Sequence, residues 1–206
     1  VPGKRSENTD GSHVWTRPAT MALRELAPFN HFYASGRHVI IDRVEVGTRA
    51  DTRTEKMVFC AACSFSAHPT DVEGMTRCPD CGTEGFGALG QVREVVRLTE
   101  VGARTPHRSS LVLDATDERE RVPYSMQDLL RVDPRCERIA LADEARAFGF
   151  EWLGRVNLRQ LNLGPMGVEG QSIHLNGDER SVPGFRVCDD CGVVEDTTVD
   201  PELRGA

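Results

Sequence analysis

The cysteines of this 206-residue chain occur in pairs, and this pairing constrains the fold more than any other feature of the sequence. Six of the seven cysteines form three Cys-x-x-Cys motifs: Cys60/Cys63, Cys78/Cys81 and Cys188/Cys191. A Cys-x-x-Cys turn brings two thiolates towards one tetrahedral metal ion. Paired cysteines in a chain that shows no secretory signal indicate metal ligands before disulfides. The sequence therefore predicts a fold organised around metal sites.

The first two motifs are close enough to complete one site by themselves. Fourteen residues separate Cys63 from Cys78, which is at the short end of the spacing typical of a zinc ribbon. Pro79 and Gly82 suit a tight ligating turn, in which glycine can adopt a positive φ. Four cysteines fill four tetrahedral positions and leave none for water, so we predict a structural Zn²⁺ in an inserted ribbon at residues 57–90. A redox-active motif would need only one pair and a thioredoxin-like context.

The third motif has no second pair beside it. No Cys or His follows Cys191 in the sequence, and residues 184–206 are therefore expected to form an incomplete C-terminal zinc knuckle. The preferred interpretation is that the remaining ligands lie beyond residue 206 in a longer chain. The upstream residues that could complete the site instead are Cys136 and His174.

Periodicity predicts a β-rich α+β fold, with a mixed sheet, the inserted ribbon and a few short helices. The helices are predicted at Thr20–Ala27, Ser125–Arg131 and Ala140–Phe148. Strands are predicted at His38–Val46, Met57–Phe59, Gln91–Val101, Glu151–Leu163 and Gly184–Val187. Segment 1–19 is expected to be disordered or a linker before a domain at 20–206, and Gly167–Pro183 is expected to be a loop. The side chains expected to pack on the ribbon sulfurs are Phe65 and Phe86.

The bulk composition excludes several classes of protein. Charged residues make up 28 % of the chain and hydrophobic residues 39 %, which is typical of a folded, soluble protein. A net charge of -7 argues against coating of nucleic acid by bulk positive charge. The sequence contains no apolar run of membrane-spanning length, and we expect a cytoplasmic protein. It also lacks phosphate-loop, His-Glu-x-x-His and Gly-x-Ser-x-Gly motifs, so no catalytic residue is predicted.

Two stretches resemble a known family. The first is Ala22–Pro28 with Asn30, followed by a strand that ends at Val46 and Gly47; the second is Asn162-Leu163-Gly164 with the later motif Gly184–Gly192. Together they resemble the MrfA-like zinc-binding domain, which is found at the C-terminal end of large DEAD/DEAH-box helicases of superfamily 2. The resemblance extends from about residue 22 to the end, and its last motif is the most specific.

This resemblance implies a four-cysteine zinc site to which Cys188 and Cys191 contribute, in an accessory domain of an ATP-driven DNA or RNA translocase. The helicase motor motifs are absent from the sequence. Motor activity would therefore come from an upstream segment or a separate protein, and the implied partners are helicase motor domains in cis or in trans. A role in DNA repair or phage defence, without contact to a membrane, is the expected setting.

A strand-guiding domain needs cationic contacts to phosphate. The most basic short window is Arg104–Ser110, and the residues predicted to bind DNA or RNA are Arg104, His107 and Arg108. The alternative function is a zinc-ribbon adaptor that binds a protein partner and no nucleic acid. A metal-dependent hydrolase is disfavoured, because nothing near Cys188 and Cys191 offers a convincing general base.

Overall fold

The computed structural model describes residues 6–7, 13–48, 51–105, 122–133, 135–146 and 148–195. In these ranges the chain is mostly β-strand with a single α-helix, which confirms the predicted β-rich class. Every pairing between the strands described is antiparallel, so the expectation of a mixed sheet is wrong. Tight turns join many of these strands, and such turns can connect only antiparallel neighbours. None of the described helices is long and apolar enough to cross a membrane.

The N-terminal part of the chain contains a separate two-stranded pair, the helix and two strands of a three-stranded sheet. Its elements are β1 (Ser6–Glu7), β2 (His13–Val14), α1 (Ala19–Glu25), β3 (His31–Ala34) and β4 (Arg37–Val44). The helix and the strand at β4 confirm two of the predicted elements. Phe32, Val39 and Ile41 form the buried core of this sheet, and Trp15 packs edge-on against Phe32. Trp15 thus contacts the core from within the segment 1–19.

Two asparagines satisfy the carbonyl groups at the end of α1. The side-chain amide of Asn30 donates hydrogen bonds of 3.0 Å to the carbonyl oxygens of Arg24 and Glu25. The amide of Asn162 donates to the carbonyl oxygen of Leu23 over 2.7 Å. The last carbonyls of a helix have no partner within the helix, so these contacts fix the end of α1. Both asparagines belong to the stretches that carry the family resemblance.

The ribbon segment is attached to a second three-stranded sheet. The strands of this part of the chain are β5 (Gly47–Thr48), β6 (Asp51–Thr52), β7 (Thr54–Phe59), β8 (Ser66–Ala67), β9 (Val92–Val96) and β10 (Val101–Arg104), and two 3₁₀ turns cover Pro69–Val72 and Leu89–Gln91. β5 and β6 form a separate two-stranded pair. β7 lies between β8 and β9, whereas β10 pairs with β4 of the first sheet. The strand predicted at Gln91–Val101 is therefore confirmed only over Val92–Val96, and its last residue, Val101, begins β10 in the other sheet.

Residues 124–165 form a long two-stranded β-arm. It consists of β11 (Tyr124–Val132), β12 (Arg138–Asp143), a 3₁₀ turn at Glu144–Arg146, β13 (Phe148–Leu153) and β14 (Val156–Pro165). β11 pairs with β14 and β12 pairs with β13. The predicted long strand Glu151–Leu163 is thus divided between β13 and β14.

The helices predicted at Ser125–Arg131 and Ala140–Phe148 are wrong, because both segments lie in this arm. Their residues have good helix propensity, but the pairing strands on the opposite side satisfy their backbone groups instead. A turn also reverses the chain within the second segment. There the side chain of Asp143 accepts a hydrogen bond of 3.1 Å from the backbone N–H of Ala145.

The C-terminal part of the described chain forms two hairpins. They are β15 (Gln171–Leu175) with β16 (Asp178–Val182), and β17 (Arg186–Val187) with β18 (Val194–Glu195). The prediction of a loop at Gly167–Pro183 is therefore wrong. Asn176 and Gly177 form its two-residue turn with φ of 54° and 90°, and an Asn-Gly pair is a strong hairpin signal in the sequence.

The main core joins the second sheet, the arm and the first of these hairpins. Its buried residues come from β7, β11, β14 and β15; they are Met57, Phe59, Leu129, Leu163, Ile173 and Leu175. Because β7 runs directly into Cys60, the strand that leads into the ribbon is anchored in this core.

The register of the arm predicts opposite outcomes for two neighbouring leucines. Leu129 is 2 % exposed and Leu130 is 47 % exposed, because successive strand residues point to opposite faces. We expect Leu129→Ala to lower the free energy of unfolding by about 2–4 kcal/mol and Leu130→Ala by less than about 1 kcal/mol. Denaturant unfolding of dilute protein measures both. Equal losses would contradict the register.

Candidate metal centre

The turns at Cys60–Cys63 and Cys78–Cys81 are built on the same hydrogen-bond pattern. The backbone N–H of Cys60 donates to the carbonyl oxygen of Phe65 over 2.9 Å, and that of Cys78 donates to Thr83 over 2.9 Å. Each hydrogen bond joins the first cysteine of the motif to the residue five positions later and so closes a tight turn. This curvature directs the two thiols of each turn to the same side.

The two turns face each other and place four sulfur atoms in one cluster. The Sγ atoms of Cys60, Cys63, Cys78 and Cys81 all lie within 4.8 Å of one another. The Sγ–Sγ distance is 3.6 Å between Cys60 and Cys81 and 3.7 Å between Cys63 and Cys78. A tetrahedral ion with bonds of about 2.3 Å to sulfur separates its ligands by about 3.8 Å. These four cysteines could therefore hold a metal ion.

Burial makes the thiolate form of two of these cysteines unfavourable when no cation is bound. Desolvation raises the pKa of Cys60 and of Cys63, because burial disfavours the charged thiolate. Cys81 lies at the exposed edge, where a hydrogen bond from the Thr83 hydroxyl lowers the pKa of its thiol to about 6. A bound divalent cation would reverse the penalty on the buried thiols, since it compensates the negative charge directly.

Aromatic and cationic side chains enclose the cluster. Phe65 and Phe86 meet edge-to-face at 5.5 Å and share a buried cluster with Cys60 and Cys78, as the sequence predicted. Arg131 of the arm lies 4.7 Å above the Phe65 ring. Its guanidinium also binds the carboxylate of Asp80 through two bonds of 2.9 and 3.1 Å. Asp80 lies between Cys78 and Cys81. The arm therefore binds the second turn directly through this charge-assisted pair.

The hairpin β15–β16 holds the other side of the ribbon. The backbone N–H of Gly177 donates to Ala61 over 2.8 Å, and the Ser64 hydroxyl donates to the Asn176 side chain over 3.2 Å. Gln91, which is buried, makes three hydrogen bonds of 2.7–3.1 Å, two to the main chain of His174 and one to the carbonyl oxygen of Phe59. Sequence patterns do not identify such contacts, because they join residues far apart in the chain.

The third Cys-x-x-Cys turn has the same backbone pattern. The N–H of Cys188 donates to Val193 over 2.9 Å and the N–H of Gly192 donates to Cys188 over 2.8 Å. Both cysteines are exposed. Backbone N–H groups of Cys191 and Asp190 lower the pKa of the Cys188 thiol, since they stabilise its thiolate. The backbone of this turn thus has the geometry of a metal-ligating turn. It packs against β4, however, and not against a second cysteine pair.

The upstream candidates do not complete this third turn. Among the described residues, Cys188 and Cys191 belong to no group of three or more metal-ligating side chains. Cys136 lies at the bend of the arm, where its N–H donates to Asp133 over 2.9 Å. The main chain of His174 is bound to Gln91 in the core. The alternative in which Cys136 or His174 completes the site is therefore not met in the described residues, and the preferred interpretation, ligands beyond residue 206, stays a prediction.

The residues predicted to bind nucleic acid are only partly described. Arg104 is exposed at the end of β10, with its Nε atom 3.6 Å from the Asp42 carboxylate. His107 and Arg108 lie outside the described residues. The prediction of a basic contact surface at this point of the chain stays a prediction.

Comparison with known proteins does not assign the chain to a family. No family model, curated protein or solved structure matches it. The resemblance to the MrfA-like zinc-binding domain therefore stays a prediction that rests on the quoted residues.

The contact between the third turn and β4 predicts a specific glycine requirement. Gly192 has φ of 70°, and a Cβ atom there would lie 1.9 Å from the carbonyl oxygen of Val44. Gly82, its counterpart in the ribbon, has φ of 76° with no atom within 4 Å of such a Cβ. We expect Gly82→Ala to lower the free energy of unfolding by about 1–2 kcal/mol through backbone strain alone. Gly192→Ala should cost about 3 kcal/mol or more, because the main chain of Val44 must also move.

Thermal unfolding of the two metal-loaded variants, compared with the parent protein, measures this difference. Equal destabilisation would show that the third turn is not packed against β4 as described.

Proposed function

We propose that this chain is a non-catalytic zinc-binding module in which the ribbon at residues 57–90 carries a structural Zn²⁺. The convergence of four thiols at tetrahedral spacing supports this proposal more than any other observation. Four protein ligands leave no open position, and the ion would therefore hold the ribbon together rather than activate water.

The third turn is proposed to be half of a second zinc site. Its hydrogen bonds match those of the Cys78 turn residue for residue, and both thiols face solvent. Two cysteines supply only two of the four ligands that structural zinc requires. The remaining ligands would come from another segment or another chain, which agrees with the arrangement implied by the family resemblance.

We further propose that the module serves a helicase-like protein as an accessory domain that guides a DNA or RNA strand. The support for this step is the resemblance of Ala22–Pro28 and Gly184–Gly192 to the helicase-associated domain, together with the basic window Arg104–Ser110. The motor domains would be supplied in cis or in trans. DNA repair and phage defence are the settings that the resemblance favours.

A protein-interaction adaptor is the second candidate, and one observation favours it. Large apolar side chains are exposed along the arm, including Phe148, Phe150 and Trp152. Such a contiguous apolar surface is typical of a protein interface and is a poor contact for a phosphate backbone.

The metal content of the purified protein tests the first proposal. We expect one zinc per chain by elemental analysis, unchanged in Cys188→Ser and lost in Cys78→Ser, since among the described residues only the ribbon brings four ligands together. The two variants are matched, because each removes the first cysteine of a turn with the same backbone pattern. Iron instead of zinc would contradict the identity of the ion.

Two other results would contradict the proposed metal sites. Protein purified under reducing conditions without any metal would overturn the ribbon site. Two zinc ions, falling to one in Cys188→Ser, would show that the chain completes the third site by itself.

Salt dependence of oligonucleotide binding separates the two candidate functions. A strand-guiding domain should bind single-stranded oligonucleotides with an affinity that falls steeply with salt, because each phosphate contact releases a counterion. We expect Arg104→Ser with Arg108→Ser to reduce the slope of log K against log [salt] by about 1–2. Fluorescence anisotropy measures the slope, with Arg146→Ser at the tip of the arm as the control. Absence of binding at low salt would favour the adaptor.

A further inference from the structure

The outer half of the β-arm presents an apolar face that nothing in the described structure covers. In the pair β12–β13, Ile139 lies opposite Trp152, Leu141 opposite Phe150, and Asp143 opposite Phe148. Residues opposite each other in an antiparallel pair share a face, as do residues two apart in one strand. The five apolar side chains therefore lie together on one face, each between 48 % and 65 % exposed.

The same face continues along the inner half of the arm. A Cβ atom built on Gly154 would lie 3.4 Å from the Trp152 ring, which shows that the ring lies over Gly154 on this face. After the bend at Gly154 and Arg155, β14 begins with Val156, opposite Val132, and Leu158 follows two residues later, opposite Leu130. Leu130, Val156 and Leu158 are exposed as well. The result is one apolar stripe that runs along the arm, on the side opposite to the core residue Leu129.

The opposite face of β12–β13 is mostly polar or small. It carries Arg138, Ala140, Ala142, Gly149 and Glu151, and its one large apolar residue is the half-buried Leu153. Arg138 and Glu151 form an ion pair of 4.0 Å. An isolated two-stranded hairpin is at best marginally stable in water and needs cover on an apolar face. Because one face of this hairpin is apolar and exposed while the other is mostly polar, we infer that another surface covers the apolar stripe when the protein functions.

We propose that the apolar stripe is a self-association surface, on which the arm of a second copy of this chain packs face to face. The area agrees with this occupant. Eight exposed apolar side chains of about 150–250 Å² each, roughly half exposed, offer on the order of 800 Å² per copy. A standard stable interface buries about 800 Å² per partner.

The charge distribution also favours a second copy. Residues 122–165 contain six arginines, no lysine and six acidic residues, so the arm is neutral although the whole chain carries a net charge of -7. Two arms can therefore approach without net repulsion. Asp143, the acidic residue on the apolar face, lies at the tip and pairs with Arg146 at 3.5 Å. Two arms that stack face to face about 10 Å apart would bury both stripes, as the two sheets of a β-sandwich do.

Sedimentation equilibrium of the metal-loaded 206-residue chain tests this proposal. From about 1 to 100 µM, which spans the affinities usual for such an interface, we expect the mass to rise from 22.8 kDa to twice that value. Phe150→Lys, at the centre of the stripe, should weaken the dimer at least about 30-fold, as for an interface hot spot. Ala142→Lys, on the opposite face of the same hairpin, should leave the dissociation constant unchanged.

A spectroscopic measurement keeps the test independent of how the lysine variants fold. In a Trp15→Phe background, Trp152 is the one remaining tryptophan, and its emission should shift to shorter wavelength as the dimer forms. A monomer at all concentrations would overturn the proposal. If that monomer showed the emission of a buried indole throughout, the cover would instead come from the same chain. A dimer that Ala142→Lys disrupts and Phe150→Lys does not would place the interface on the other face.

Discussion

The convergence of four thiols between residues 60 and 81 is the constraint on which the surrounding structure depends. The ribbon has little hydrophobic core of its own: Val58, Phe65, Val72 and Phe86 are its buried apolar side chains, packed with two of the cysteines. A core of this size cannot offset the conformational entropy of the loops around it. A metal ion bound to four sulfurs would supply the missing stabilisation, as in other small metal-binding modules.

The rest of the fold is arranged so that this cluster is held from several sides. β7 enters the first turn from the main core, Arg131 of the arm binds Asp80 in the second turn, and the β15–β16 turn bonds to Ala61. The last two contacts are polar or charge-assisted and join residues distant in the chain. Residues 57–90 are therefore packed against the arm and the hairpin, and an ion bound by the four cysteines would stabilise those elements as well.

The arm shows how tertiary pairing can override local propensity. The segment Ala140–Phe148 contains four alanines with one leucine, one glutamate and one arginine, and by itself favours a helix. In the structure it pairs instead with β13, because the aromatic and aliphatic residues of the two strands then meet on one face. Helix propensity reflects the preference of each residue within its local segment. It does not include the pairing with β13, which begins only after the turn. The Asn-Gly turn of β15–β16 is a different case, since that local signal was present in the sequence.

The sequence by itself determined the β-rich class, the helix near Thr20, the strand that carries Cys60 and the four cysteines of the ribbon. These features depend on short-range chemistry: alternation of side chains, the geometry of Cys-x-x-Cys turns and the affinity of thiolates for metal ions. Only the tertiary structure decided that Cys136 and His174 lie apart from the third turn, that Gly192 packs against Val44, and that one face of the arm is left apolar and open. Those features depend on which distant segments pair, and pairing is set by the packing of the whole chain rather than by any local pattern.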